Sequence, residues 1–179
     1  MRLVLLTGGA RSGKSSLAVA LATRASADVV FLATGEARDD EMAARIAAHR
    51  AERPAHWTTV EEPVRVAEAI GAVERSACLV VDCLSLWVAN LLEADDAAEI
   101  ERAAATAVAA AAARDGTTIV VTSEVGLGVV PGTPVGRAYR DVLGRVNAIW
   151  AAQATEAYLV VAGRLLPLLP ATEVLTDDR

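Results

Sequence analysis

Eight residues near the start of the chain, Gly8-Gly9-Ala10-Arg11-Ser12-Gly13-Lys14-Ser15, match the spacing G-x-x-x-x-G-K-[ST]. This P-loop pattern carries a mechanism. Glycines let the backbone curl until successive N–H groups face one anion, and a helix that follows adds the positive end of its dipole. The ammonium of Lys14 reaches the β- and γ-phosphates of a nucleotide, and the hydroxyl of Ser15 ligates Mg²⁺. Lys14 is the only lysine in the chain, and every other basic side chain is arginine. A lysine kept against that bias points to a need for a compact ammonium, which the planar guanidinium replaces poorly. Asp82 closes a later apolar run, where a P-loop protein places the carboxylate that holds Mg²⁺ directly or through water.

A nucleophile is harder to name. His49 and His56 are the only histidines. His49 lies in the segment Asp39–Arg50, which reads as a helix. There Asp39, Met42, Ile46 and Arg50 share one side, and Arg45 and His49 share another. Neighbouring Arg45, Arg50 and Arg53 favour a neutral imidazole, as a nucleophile must be, and also attract a triphosphate. His56 follows Arg53-Pro54 and reads as a loop residue packed by its neighbours. Spacing alone ranks neither histidine as catalytic.

The surrounding elements alternate. Apolar runs at Arg2–Thr7, Asp28–Thr34, Ala77–Cys83, Thr117–Thr122 and Ala157–Ala162 suit strands buried on both faces. Helices are expected from about Gly13 to Arg24, from Asp39 to Glu52, from Pro63 to Glu74, from Ser85 to Arg114 with a break near Asp95-Asp96, and from Val135 to Thr155. The alternation implies an α/β fold with a mainly parallel sheet flanked by helices, of the RecA-like P-loop class. The tail from Gly163 is expected to pair at a sheet edge, and about ten terminal residues are expected to be disordered. No linker divides the 179 residues, so they read as one domain.

Bulk properties exclude several classes. A net charge of −6 argues against a nucleic-acid partner. Mean hydropathy is +0.37, much of it alanine, and no apolar stretch reaches the roughly 20 residues of a membrane span. Cys78 and Cys83 fit no zinc spacing; five apart on a strand they would face opposite sides, and they read as buried thiols in a reducing cytoplasm. Trp57, Trp87 and Trp150 read as core or interface residues, and Asn90 and Glu124 lie near strand ends, where substrate or structural roles are equally open.

Beyond the generic P-loop, the blocks ATGEARDDEMAARIAAHRAERPAHW, VVDCLSLWVANLL and VVTSEVGLGVVP give the stretch from about Arg2 to Gly163 a specific character. It resembles the bifunctional adenosylcobinamide kinase/adenosylcobinamide-phosphate guanylyltransferase family. The resemblance implies phosphorylation of adenosylcobinamide with ATP or GTP, then transfer of GMP from GTP to give adenosylcobinamide-GDP and pyrophosphate. It implies that His49 is the nucleophile, passing through a guanylyl-histidine, with Lys14 assisting. It places nucleotide contacts on Gly8 to Ser15, on Ala33, Thr34 and Gly35, on Arg50, Ala51, Glu52 and Arg53, on Glu61 and on Asp82. Mg²⁺ falls to Ser15 and Asp82, and the assembly to a homotrimer. Ser123 stands where the family commonly has asparagine. A kinase without transferase activity and a P-loop regulator are the competing readings; neither gives a covalent histidine a use.

Overall fold

The structure, a computed structural model, describes residues 1–171. Its elements run β1 (Arg2–Thr7), α1 (Lys14–Ala25), β2 (Val29–Ala33), α2 (Asp40–Ala51), β3 (Thr58–Glu61), α3 (Val66–Ala72), β4 (Cys78–Asp82), α4 (Leu84–Leu91), α5 (Ala97–Ala112), β5 (Thr117–Val121), α6 (Pro134–Gln153), β6 (Glu156–Val161) and β7 (Arg164–Pro167). The strands form one sheet in the order β3-β2-β4-β5-β1-β6-β7. All neighbours pair in parallel except β6 and β7, which are antiparallel. The mainly parallel α/β architecture and the C-terminal edge strand are those expected. The anticipated disorder of the chain end falls on residues outside those described, apart from its first positions.

The strands alternate between two cores, because successive strand side chains point to opposite faces. Leu3, Leu5, Leu79, Val81 and Val120 pack with α3, α4, α5 and α6, around the fully buried Trp87 and Trp150. Val4, Leu6, Val80, Ile119 and Val121 face the other way, against α1 and Trp57. Ala18 and Ala22 are fully buried on α1, so small side chains let this helix lie close to the sheet. All three tryptophans are therefore core residues.

Local chemistry sets the helix starts. The carboxylates of Asp39 and Asp96 accept from the N–H groups of Met42 and Glu99, capping α2 and α5. Thr133 caps α6 in the same way, with Pro134 at the first helical position. The expected helical region after Ser85 does break at Asp95-Asp96, because Asp96 is a cap.

Three expectations need correction. The segment Thr58–Glu61 was not read as a strand, but it is β3 at the sheet edge. Its residues are exposed or half-buried, so the continuous apolar run that marks a strand buried on both faces is missing. The helix expected from Pro63 to Glu74 is only α3, because Glu62 turns the chain first, accepting from the N–H groups of Val64 and Arg65. Cys83 is not on a strand: β4 ends at Asp82 and Cys83 precedes α4, so alternation along a strand does not relate the two thiols.

Arg114 joins the thick core to β4. It is 3% exposed, and its guanidinium donates to the carbonyls of Ile70, Val73, Glu74 and Ala77 at 2.8–3.3 Å. It thus satisfies carbonyls at the end of α3 and just before β4. Arg114→Met should lower unfolding free energy by about 3 kcal/mol in urea titration, whereas the exposed Arg102→Met should change it by about 0.5 kcal/mol or less.

Candidate active site

The parallel strands end together, and their carboxyl edge forms a cleft of about 790 Å³. The phosphate loop links β1 to α1 on one wall. Gly8 has φ +154°, and a Cβ there would lie 2.3 Å from the carbonyl oxygen of Val160, so only glycine fits. Gly13 caps α1 with φ +96°, a conformation that suits a residue without Cβ. The loop is already curled. Lys14 Nζ donates to the carbonyls of Gly8 and Gly9 at 2.8 and 2.7 Å and lies 3.4 Å from Ser12 Oγ. Burial pushes the Lys14 ammonium below its ordinary pKa, with Arg45 acting in the same direction and Cys83 and Asp82 opposing. A polyphosphate in the loop would restore the charge partner that this position lacks.

Asp82 ends β4 across from the loop. Burial raises its carboxyl above the usual range, and the Ser15 hydroxyl, His49, Arg53 and Lys14 pull it back. No ion pair is made by Asp82 among the described residues. A hydroxyl and a carboxylate facing each other are hard oxygen donors. They suit Mg²⁺, which takes few protein ligands and completes its shell with phosphate and water oxygens. The two residues fit the metal expected of them.

The second wall is α2. Met42, Arg45, Ile46, His49, Arg50 and Arg53 all face the cleft, so the two helical sides expected from the sequence form one broad surface. His49 Nδ1 lies 3.9 Å from Glu52 Oε2, and Arg50 Nη1 lies 3.5 Å from Glu61 Oε1 at the end of β3. Arg53 stacks 3.5 Å above the Phe31 ring, and burial lowers its pKa. Its buried Nε has no partner, and neither Arg45 nor Arg53 forms an ion pair among the described residues. In an acidic chain, these uncompensated cations concentrate beside the phosphate loop. That is an anion site.

The cleft gathers most of the sequence-derived set: Ala10 to Ser15, Ala33, Gly35, His49, Arg50, Arg53, Glu61 and Asp82. Gly8 and Gly9 act through their carbonyls on Lys14 instead of lining the wall. Thr34 is fully buried; its hydroxyl donates to Cys83 O at 2.7 Å and accepts from Cys83 N at 2.8 Å, so its side chain braces the end of β4. Ala51 at the end of α2 and its C-cap Glu52 are exposed and outside the lining. His56 is exposed and outside the cleft, contrary to its reading as a packed residue. Asn90 is structural: its amide donates to Thr34 O and Pro63 O. Cys83 lines the cleft beside Ser85, and burial raises both cysteine thiols to about 11.

Sequence reading missed Ser85, Leu86, Val125 and Tyr139 in the cleft. Ser85 and Leu86 follow the carboxylate strand closely, and that position was a usable signal. Tyr139 arrives from α6, and nothing local marks it.

The matches to known proteins agree with this geometry. The family model for cobinamide kinase / cobinamide phosphate guanyltransferase matches residues 4–168. The chain belongs to this family. The bifunctional adenosylcobalamin biosynthesis protein CobP of Pseudomonas aeruginosa is 42% identical over 165 residues, which is 92% of this chain and 95% of that protein. The protein of the same description, CobU, from Escherichia coli is 40% identical over 175 residues, covering 90% of this chain and 96% of its own. The CobU of Salmonella typhimurium is 41% identical over the same length and shares. The family's two named activities both move part of a nucleotide, consistent with a cleft that joins a P-loop to an arginine-flanked histidine. Among the described residues, no helix is long and apolar enough to cross a membrane.

The raised carboxyl of Asp82 has a signed consequence. Its folded pKa lies above its unfolded one, so its contribution to stability is full below the unfolded value and is lost as pH rises through the folded value. Asp82→Asn should therefore gain thermal stability relative to wild type as pH rises from about 4 toward 7 in nucleotide-free buffer. The same variant should lose Mg²⁺-dependent turnover. A flat difference in melting temperature across that range would refute the assignment.

Proposed function

We propose that this protein phosphorylates the hydroxyl of adenosylcobinamide with ATP or GTP and then attaches GMP from GTP to the product, using His49 as a covalent nucleophile. The observation that carries this reading is the convergence of Lys14, Asp82 and His49 on one cleft with Arg45 and Arg53, which form no ion pair among the described residues. Ser15 and Asp82 would hold Mg²⁺, which would supply neutralisation of phosphate charge. In the guanylyl step an imidazole nitrogen of His49 forms a bond to the α-phosphorus, and the bond from that phosphorus to pyrophosphate breaks. Arg45, Arg50 and Arg53 orient the triphosphate and stabilise charge on the departing pyrophosphate. A phosphate oxygen of adenosylcobinamide phosphate then attacks the same phosphorus and frees His49. The nitrogen turned away from Glu52, Nε2, is the nucleophile in this scheme.

One P-loop must serve γ-phosphate and α-phosphate chemistry. Helix α2 contributes no fully buried residue to either core. A shift of α2 along the cleft therefore breaks little packing and changes which phosphorus His49 meets.

The test uses GTP labelled at the α-phosphate, with Mg²⁺, followed by denaturation. The expected result is acid-labile, alkali-stable label on wild type and on His56→Ala, and none on His49→Ala. Lys14→Ala should reduce both activities by roughly 10²–10³. An unlabelled wild type that is folded and binds GTP would sink the covalent mechanism.

The proposal includes a cytoplasmic setting, which the free thiols of Cys78 and Cys83 suit, and a homotrimer. Supporting the latter, Leu127, Val129, Val130 and Val135 are 64–93% exposed on one loop and the start of α6. Clustered exposed apolar residues of this kind mark association surfaces. Light scattering should give a mass about three times that of the 18.6 kDa chain, and Val129→Asp with Val130→Asp should reduce it. A monomeric mass for the wild type at micromolar concentration would remove the trimer.

A further inference from the structure

The kinase half of this reading needs a group that takes the proton from the acceptor hydroxyl, and neither Lys14 nor Asp82 is free to do so. We propose that Glu124 is that general base and that the acceptor hydroxyl enters the cleft between Glu124, Ser123, Ser85 and Tyr139. The inference rests on the functional reading above.

Strand order places Glu124. Strand β5 lies between β1 and β4, and Val121 at its end is in register with both Leu6 and Asp82. Three residues later, Glu124 N donates to Gly8 O at 3.1 Å. The same carbonyl accepts from Lys14 Nζ. The glutamate backbone is thus pinned beside the group that holds the terminal phosphate.

The segment is braced on both sides. Ser123 O accepts from Asn147 Nδ2 at 3.1 Å, Asn147 Oδ1 accepts from Thr122 at 2.6 Å, and Val125 packs on the core. The Glu124 side chain is half-buried on the cleft wall. One oxygen, Oε1, accepts from Gly126 N at 2.8 Å; among the described residues the other has no hydrogen-bond partner and no cation pairs with the carboxylate. Other cleft carboxylates have different settings: Asp82 faces Ser15, Glu61 pairs with Arg50, and Glu41 is exposed in the first turn of α2.

The surroundings are neutral and rich in hydroxyls. Ser85 Oγ lies 3.3 Å from Ser123 Oγ, and Tyr139 donates to Ser85 O at 3.1 Å. A carboxylate among hydroxyls repels phosphate and receives an alcohol. In the step, the acceptor oxygen forms a bond to the γ-phosphorus while the bond to the nucleoside diphosphate breaks. The diphosphate leaves with the electron pair, and the hydroxyl proton passes to the free oxygen of Glu124 and then to water.

The guanylyl step has no such need, because its acceptor is already a phosphate anion. Substitution at Glu124 therefore separates the two activities. For Glu124→Gln, which keeps the acceptor to Gly126 N, kcat for phosphorylation of cobinamide should fall about 10²–10⁴-fold with nucleotide KM within about threefold. Labelling of His49 and guanylyl transfer to supplied cobinamide phosphate should stay at the wild-type level, and Glu124→Asp should recover part of the kinase rate. Retained kinase turnover in Glu124→Gln, or equal loss of both activities, overturns the assignment. A wild type that labels His49 but phosphorylates no cobinamide overturns the kinase reading itself, and this base with it.

Discussion

Parallel register is the constraint on which the site depends. Val121 of β5 is level with Leu6 of β1 and with Asp82 of β4. Three strands therefore end at one height, and the segments that leave them are forced into the same space. The phosphate loop leaves β1, Cys83 and α4 leave β4, and Ser123 and Glu124 leave β5. The main chain then knits these exits together. Gly8 O accepts from both Lys14 and Glu124, and the Thr34 hydroxyl holds both the N–H and the carbonyl of Cys83. Such cross-links, made by side chains and main chain onto backbone groups, fix the shape of the cleft before any ligand arrives.

Electrostatics divides the cleft. Lys14, Arg45 and Arg53 lie toward the loop and α2 without ion-pair partners among the described residues, inside a chain of net charge −6. Burial disfavours charge on Lys14 and on Asp82 at once. Both penalties are relieved by the same ligand, a metal-bound polyphosphate, which supplies negative charge to one and positive charge to the other. A site arranged this way sacrifices stability of the free fold for binding. The opposite end, at Ser85, Ser123 and Tyr139, offers hydroxyls and the carboxylate of Glu124.

Helix α2 differs from its neighbours. Helices α4, α5 and α6 each bury residues in the larger core, while α2 buries none fully and touches the cleft through half-buried Met42, Ile46 and His49. The residue with the strongest case for covalent chemistry thus sits on the least anchored helix. Under the proposed function, this loose attachment would let His49 move relative to the phosphate loop.

Much of this was legible along the chain. Local rules sufficed for the P-loop, because turn geometry and helix dipole act within eight residues. They also sufficed for a helix beginning near Asp39, the break near Asp95-Asp96 and the apolar runs of β1, β2, β4 and β5. Strand β3 escaped because Thr58–Glu61 gains its place by pairing with β2, not by burying a continuous apolar run. Thr34 was placed with the nucleotide contacts, but its side chain turns to Cys83, 49 residues away. Nothing in spacing separated His49 from His56; only the folded chain turns one into the cleft and leaves the other exposed outside it. The sequence alone determined the elements and the phosphate chemistry, since these follow from short-range periodicity and hydrogen bonding. Tertiary structure decided which distant side chains meet, because strand order and register are set by long-range packing that no local window contains.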